Sequence, residues 1–175
     1  WEQKAQLTAG TNSERIAAIG FSVGSYGYVG FGRSTTTAFI SDLWRWDSTS
    51  NLWAQMSSSG IPNGRASAGV FVIGTNAYIG LGSNAADAFF YKYNSVENSW
   101  VVTSNAFPDG ARIVCGTTFT IGSKGYVVGG ANPSIGYKQV FEFNPSGETW
   151  TSKADFAYGT PSYPTGALLY NAVGC

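Results

Sequence analysis

Chemistry at neutral pH needs a group that titrates there or a bound metal ion, and histidine is the usual supplier of both. The chain has no histidine, which excludes Ser-His-Asp and Cys-His nucleophiles. Cys115 and Cys175 are its two cysteines, sixty residues apart and without CxxC spacing. They offer at most a pair of soft ligands, so no metal site and no cofactor are expected. One disulfide between them and two separate thiols both fit that count. Carboxylates that could work as a pair, the arrangement glycoside hydrolysis uses, are Asp42, Asp47, Asp87, Asp109, Glu142 and Asp155. Asp47 has a plainer role as the cap of a turn, and Asp42, Asp87 and Glu142 fall in or beside a strand. No catalytic residue is assigned.

Arginines and aromatics remain as binding groups. Arg15, Arg65 and Arg112 recur at one position of a repeat. A ring of guanidinium forks there would clamp carboxylates or phosphates, and the alternative is a structural arginine that ties neighbouring backbone carbonyls. Arg33, Tyr137, Tyr158 and Tyr163 stand in segments of turn-forming composition and complete the candidate binding set. Tryptophan faces also stack on sugar rings, but Trp53, Trp100 and Trp150 recur with the repeat and are expected to pack between its units. Trp44 and Trp46 belong to one copy alone and share a strand face, opposite Leu43 and Arg45.

The repeat that positions these residues is about fifty long. Trp1, Trp53, Trp100 and Trp150 are spaced by 52, 47 and 50 residues. The last three each follow an Asp or Asn by six residues: Asp47, Asn94 and Asn144. A short gap rich in Asx, Ser, Pro and Gly predicts a tight turn, because these side chains cap their own backbone and tolerate left-handed conformations. Upstream lie GYVGFG at 27–32, AYIGLG at 77–82 and GYVVGG at 125–130, each an apolar strand ending in glycine. Further upstream comes the arginine with a small apolar run after it. Each repeat therefore predicts four strands: A after the arginine, B before the glycines, C before the Asx turn and D around the tryptophan.

Four antiparallel strands in about fifty residues make the blade of a propeller, in which each blade buries its face on the next. In its glycine pair (Gly129–Gly130, with Gly30-Phe-Gly32 and Gly80-Leu-Gly82 as variants), its preceding Tyr28, Tyr78 or Tyr126 and its tryptophan after the Asx turn, the chain resembles the kelch repeats of secreted bacterial proteins. The resemblance implies an all-β, kelch-type β-propeller of about 3.5 four-stranded blades. The blades fall at approximately 15–56, 65–103 and 112–153, with a partial blade from 1–8 and 162–175. That is half a ring as kelch propellers go, to be completed by missing sequence, by another chain, or by a tight four-bladed closure. The B–C loops (Arg33–Phe39, Ser83–Ala88, Ala131–Lys138) and D–A loops (Ser57–Gly64, Ser104–Ala111, Ala154–Pro164) then share one face. Binding on rigid β scaffolds is carried by such loops.

Composition narrows the partners. Charged residues are 11% and aromatics 15% of the chain, with 23 glycines, the profile of an all-β protein with many turns. Ten basic residues balance ten acidic ones and no sign clusters, so nucleic acid is not an expected partner. No apolar run approaches the roughly 20 residues of a membrane span. The reading is a non-catalytic, extracellular or cell-surface module that binds protein or glycan, with self-association or a longer parent chain. The competing reading is a catalytic kelch domain acting on sugars, mutarotase- or isomerase-like, using arginine and carboxylates.

Overall fold

The computed structural model describes residues 1–8, 14–34, 38–85, 87–110, 114–132 and 135–155. Within them the chain is all β. Strands β1 (Ile19–Val23), β2 (Tyr26–Gly30), β3 (Leu43–Asp47) and β4 (Leu52–Gln55) form the first antiparallel sheet in sequence order. Strands β5 (Gly69–Ile73), β6 (Asn76–Gly80), β7 (Phe90–Asn94) and β8 (Ser99–Val102) form the second. The third contains β9 (Val114–Ile121), β10 (Lys124–Asn132), the short β11 (Ile135–Gly136), β12 (Val140–Asn144) and β13 (Thr149–Lys153). There β9, β10, β12 and β13 repeat the same order, and β11 pairs with the end of β10. These are three blades of a β-propeller. Residues 1–8 form no strand, and the expected partial blade at 162–175 lies outside the described residues.

The Asx turns form as their chemistry requires. Asp47 Oδ1 accepts from the amides of Thr49 (2.8 Å) and Ser50 (3.4 Å), and Asn94 Oδ1 from those of Val96 and Glu97. Asn144 Oδ1 accepts from Ser146 N–H. Four residues into each turn stands a left-handed residue, Asn51, Asn98 or Glu148. At the other end of the blade, the glycine pair resolves as residues 31–32, 81–82 and 129–130, all with positive φ. Phe31 and Leu81 therefore hold a left-handed backbone that glycine would adopt freely; their side chains, fully buried, offset the strain. The second position tolerates only glycine. A Cβ on Gly82 (φ +93°) would lie 2.6 Å from Ala66 O, and one on Gly32 2.8 Å from Ile16 O.

The core lies between blades. Phe21 stacks on Tyr28 within the first blade, and that pair meets Tyr93 and Trp100 of the second, with Tyr28–Tyr93 and Phe31–Trp100 edge to face. Phe71 and Tyr78 of the second blade meet Phe143 and Trp150 of the third in the same way. Burying one such aromatic contributes on the order of 2–3 kcal/mol. Hydrogen bonds lock the turn end of both junctions, at the first through Asn98 and Trp100 and at the second through Glu148. Glu148 Oε2 accepts from Ser104 N–H and O–H, while Trp150 Nε1 has no partner among the described residues. Asn98 Oδ1 accepts from Ser57 N–H and from Tyr93 O–H (both 2.9 Å), while Trp100 Nε1 donates to Ser57 O (2.9 Å). The inner strands add Thr118 Oγ1 donating to Val70 O and Thr120 Oγ1 to Val72 O.

Candidate functional site

The B–C and D–A loops meet on the face opposite the Asx turns, because strands B and D run toward it and strands C and A away. Backbone bonds fix the junction of the first two blades there. Arg33 and Ile16 exchange N–H···O bonds (2.9 Å each), Gly32 N–H donates to Arg65 O (2.8 Å), and Ser67 N–H donates to Ala17 O (3.0 Å). Arg15, Arg33 and Arg65 are thereby gathered at one junction. Arg112, Tyr158 and Tyr163 lie outside the described residues.

The gathered arginines do not share a role. Arg15 holds Asp42 bidentately (2.6 and 3.0 Å) and also donates to Phe31 O, and Asp42 accepts from Trp44 Nε1 (2.9 Å). Both partners of the ion pair are largely buried, so this cation and this carboxylate serve the scaffold. Arg65 is fully buried, its Nε donates to Asn63 O, and its guanidinium lies over the Tyr91 ring at 5.3 Å. Its Nη1 and Nη2 have no hydrogen-bond partner, so the aromatic face stands in for an ion pair. Burial lowers its pKa, with the charges of Asp87 and Tyr91 opposing; it remains a cation. Both arginines act within their own blade through side chains, and the ties between blades run through backbone.

Arg33 differs. It is half-buried, its backbone is clamped between Ile16 and Phe39, and among the described residues its side chain has no ion-pair partner. Tyr137, in the B–C loop of the third blade, is positioned by its N–H donating to Gly130 O (2.8 Å) and by a hydrogen bond of its hydroxyl with Asn132 Nδ2 (2.8 Å).

The candidate carboxylates are occupied. Asp87 accepts from Phe89 N–H (3.0 Å) and from the Tyr91 hydroxyl (2.9 Å). Burial, and then that bond, raise the Tyr91 pKa. Glu142, far from this face, accepts from Tyr126 O–H (2.7 Å) and pairs with Lys153 (3.0 Å), and the phenol is the first cause of its lowered pKa. Asp47 titrates below its ordinary value, first because of Thr49 N–H. Asp155 pairs with Lys138 at 3.2 Å. Among the described residues no three carboxylate or thiol groups converge as a metal site would need, and no helix is long and apolar enough to cross a membrane. The Tyr91–Asp87 pair beneath Arg65 was not foreseen from the sequence. Its signal is the spacing of four residues on strand C, too common to single out.

No protein-family model matches the chain, and no curated protein is similar to it in sequence. Among solved structures, that of YjhT is similar to this chain, with a TM-score of 0.64 at 16% identity. The similarity covers 81% of this chain and 52% of YjhT. The chain thus spans about half the length of that structure, and the likeness supports the propeller fold alone.

Proposed function

We propose that the chain is a non-catalytic binding module on a kelch-type propeller, working outside the cell or at its surface and holding a protein or glycan ligand on the loop face. The observation that carries this is Arg33: a guanidinium on a clamped backbone, without an ion pair among the described residues, beside two arginines already committed to the scaffold. Such a fork is preorganised for a carboxylate, and a charge-assisted pair there is worth about 1.5–3 kcal/mol. Tyr137 supplies a second, aromatic contact of the kind that meets sugar rings and peptide side chains. Composition supports the extracellular setting: few charges, with abundant Ser, Thr, Gly and aromatics.

Titration calorimetry with a uronic-acid trisaccharide, an uncharged trisaccharide of the same linkage and a glutamate-rich peptide tests the reading. Saturable binding of an acidic probe, weakened about ten-fold or more by Arg33→Ala, is expected. Binding untouched by that variant, or none to any probe, would overturn it. Accelerated exchange between sugar anomers in the same mixtures would assign the chain to sugar isomerisation instead.

A further inference from the structure

The blade junction described above is used twice inside the chain, and each of its halves is present once more without a partner among the described residues. On the third blade, Phe119 stacks on Tyr126 (5.3 Å, 17°) in the register of Phe21–Tyr28 and Phe71–Tyr78. Yet Phe119 is 36% and Ile121 60% exposed, where Phe71 is 2% exposed. On the first blade, Trp46 and Trp53 sit opposite each other as Tyr93–Trp100 and Phe143–Trp150 do. They are only half-buried, while Tyr93 is 0% exposed. One end of the stack thus offers a socket and the other end its plug.

The lock at the plug end is also in place. Asn51 Oδ1 accepts from Ala5 N–H (2.9 Å) and Trp46 Nε1 (3.1 Å), and Trp53 Nε1 donates to Ala5 O (2.8 Å), the bonds that Ser57 makes at the next junction. Ala5 therefore occupies the position of a segment leaving a preceding blade. The segment holding it reads W-x-x-K-A from Trp1 to Ala5, and the segment that leaves the third blade, Trp150 to Ala154, reads W-x-x-K-A as well. The two inner exits, Trp53 to Ser57 and Trp100 to Ser104, do not.

We infer that the Phe119–Tyr126 face of the third blade receives the Trp46–Trp53 face of a second copy of this chain, head to tail. Trp150–Ala154 of one copy takes the place that Trp1–Ala5 holds on the other. The exchange is even in hydrogen bonds, since the same two backbone groups of an alanine are offered, and burial of the two aromatic faces drives it. Polar groups match too. Ser22, exposed, stands where Thr120 stands on the third blade, and in the pair it would donate to a strand carbonyl of the second copy as Thr120 does to Val72 O. Glu142 occupies the position from which Lys92 reaches Glu148 of the next blade (3.8 Å), and it would meet the Asn51 amide of the second copy. A head-to-tail contact of this kind either closes or grows into a fibre. We take closure at two copies, because one copy spans about half of YjhT and two would supply a propeller of that size.

Sedimentation equilibrium of the 175-residue chain is expected to give twice its 18.5 kDa mass at high concentration, with no further growth. Phe119→Glu and Trp46→Glu each remove one half of every junction between copies, so each alone is expected to associate at least about ten-fold more weakly. Their equimolar mixture restores one intact junction and is expected to pair. Val96→Glu, an exposed turn substitution away from both faces, serves as the control and is expected to leave the mass unchanged. A wild-type chain that stays monomeric, a mass that keeps rising with concentration, or folded variants that associate as the wild type does would each overturn the inference. Because this readout involves no ligand, it fails or holds separately from the loop-face reading.

Discussion

At the scale of single residues, the junctions rest on side chains that combine apolar burial with one specific hydrogen bond. Tyr93 shows both terms. It is fully buried between the first two blades, and burial pushes its phenol up to about 12, while its hydroxyl donates to Asn98. A raised folded-state value means that the neutral phenol is favoured by folding. Its contribution is complete below the ordinary tyrosine value of about 10 and is lost as pH rises toward 12. Thermal melts between pH 7 and 12 should therefore show Tyr93→Phe less stable than wild type by about 1 kcal/mol at pH 7. The gap should narrow or reverse at the alkaline end. A constant gap would mean that the phenol is not held as described.

At the scale of elements, the blade was legible in the sequence for a physical reason: each of its turns demands a particular residue. Asp47, Asn94 and Asn144 had to accept amide bonds, and Trp53, Trp100 and Trp150 do fall on the last strand of their blades. The glycine pair was read less well. The sequence offers Gly30-Phe-Gly32 and Gly80-Leu-Gly82 as variants of it, and the left-handed pair is residues 31–32 and 81–82, with Phe31 and Leu81 held there by burial. Propensity alone gives no way to anticipate a bulky residue at positive φ. The arginine position is legible, but its division into an ion pair at Arg15 and an aromatic contact at Arg65 depends on whether the carboxylate stands two residues before the strand-C aromatic it bonds, as Asp42 before Trp44, or four, as Asp87 before Tyr91. The second position of the pair makes a sharp prediction. Gly82→Ala forces a Cβ to within 2.6 Å of Ala66 O at φ +93°, so it should destabilise the chain by more than about 2 kcal/mol in urea unfolding. Gly74→Ala, at φ +60° in an open hairpin turn where nothing lies within 4 Å, should cost only the backbone strain, about 1–2 kcal/mol. Equal effects would place residue 82 outside the crowded position described.

At the scale of the molecule, the described residues form a stack of blades clamped at the Asx-turn end. A stack of this kind is stabilised mainly by nearest-neighbour faces, so protection should track position in the stack more than residue type. The six tryptophans report this directly through their indole N–H groups. Trp100 is 7% exposed and bonded to Ser57 O across an inner junction, Trp53 is bonded to Ala5 O at an outer one, and Trp1 is wholly exposed. Hydrogen exchange of the indole N–H groups, followed by NMR, is the most direct test of the stacked-blade claim. Exchange should be slowest at Trp100, intermediate at Trp53 and fastest at Trp1. Trp100 exchanging as fast as Trp1 would contradict the claim that the blades stack through these locks.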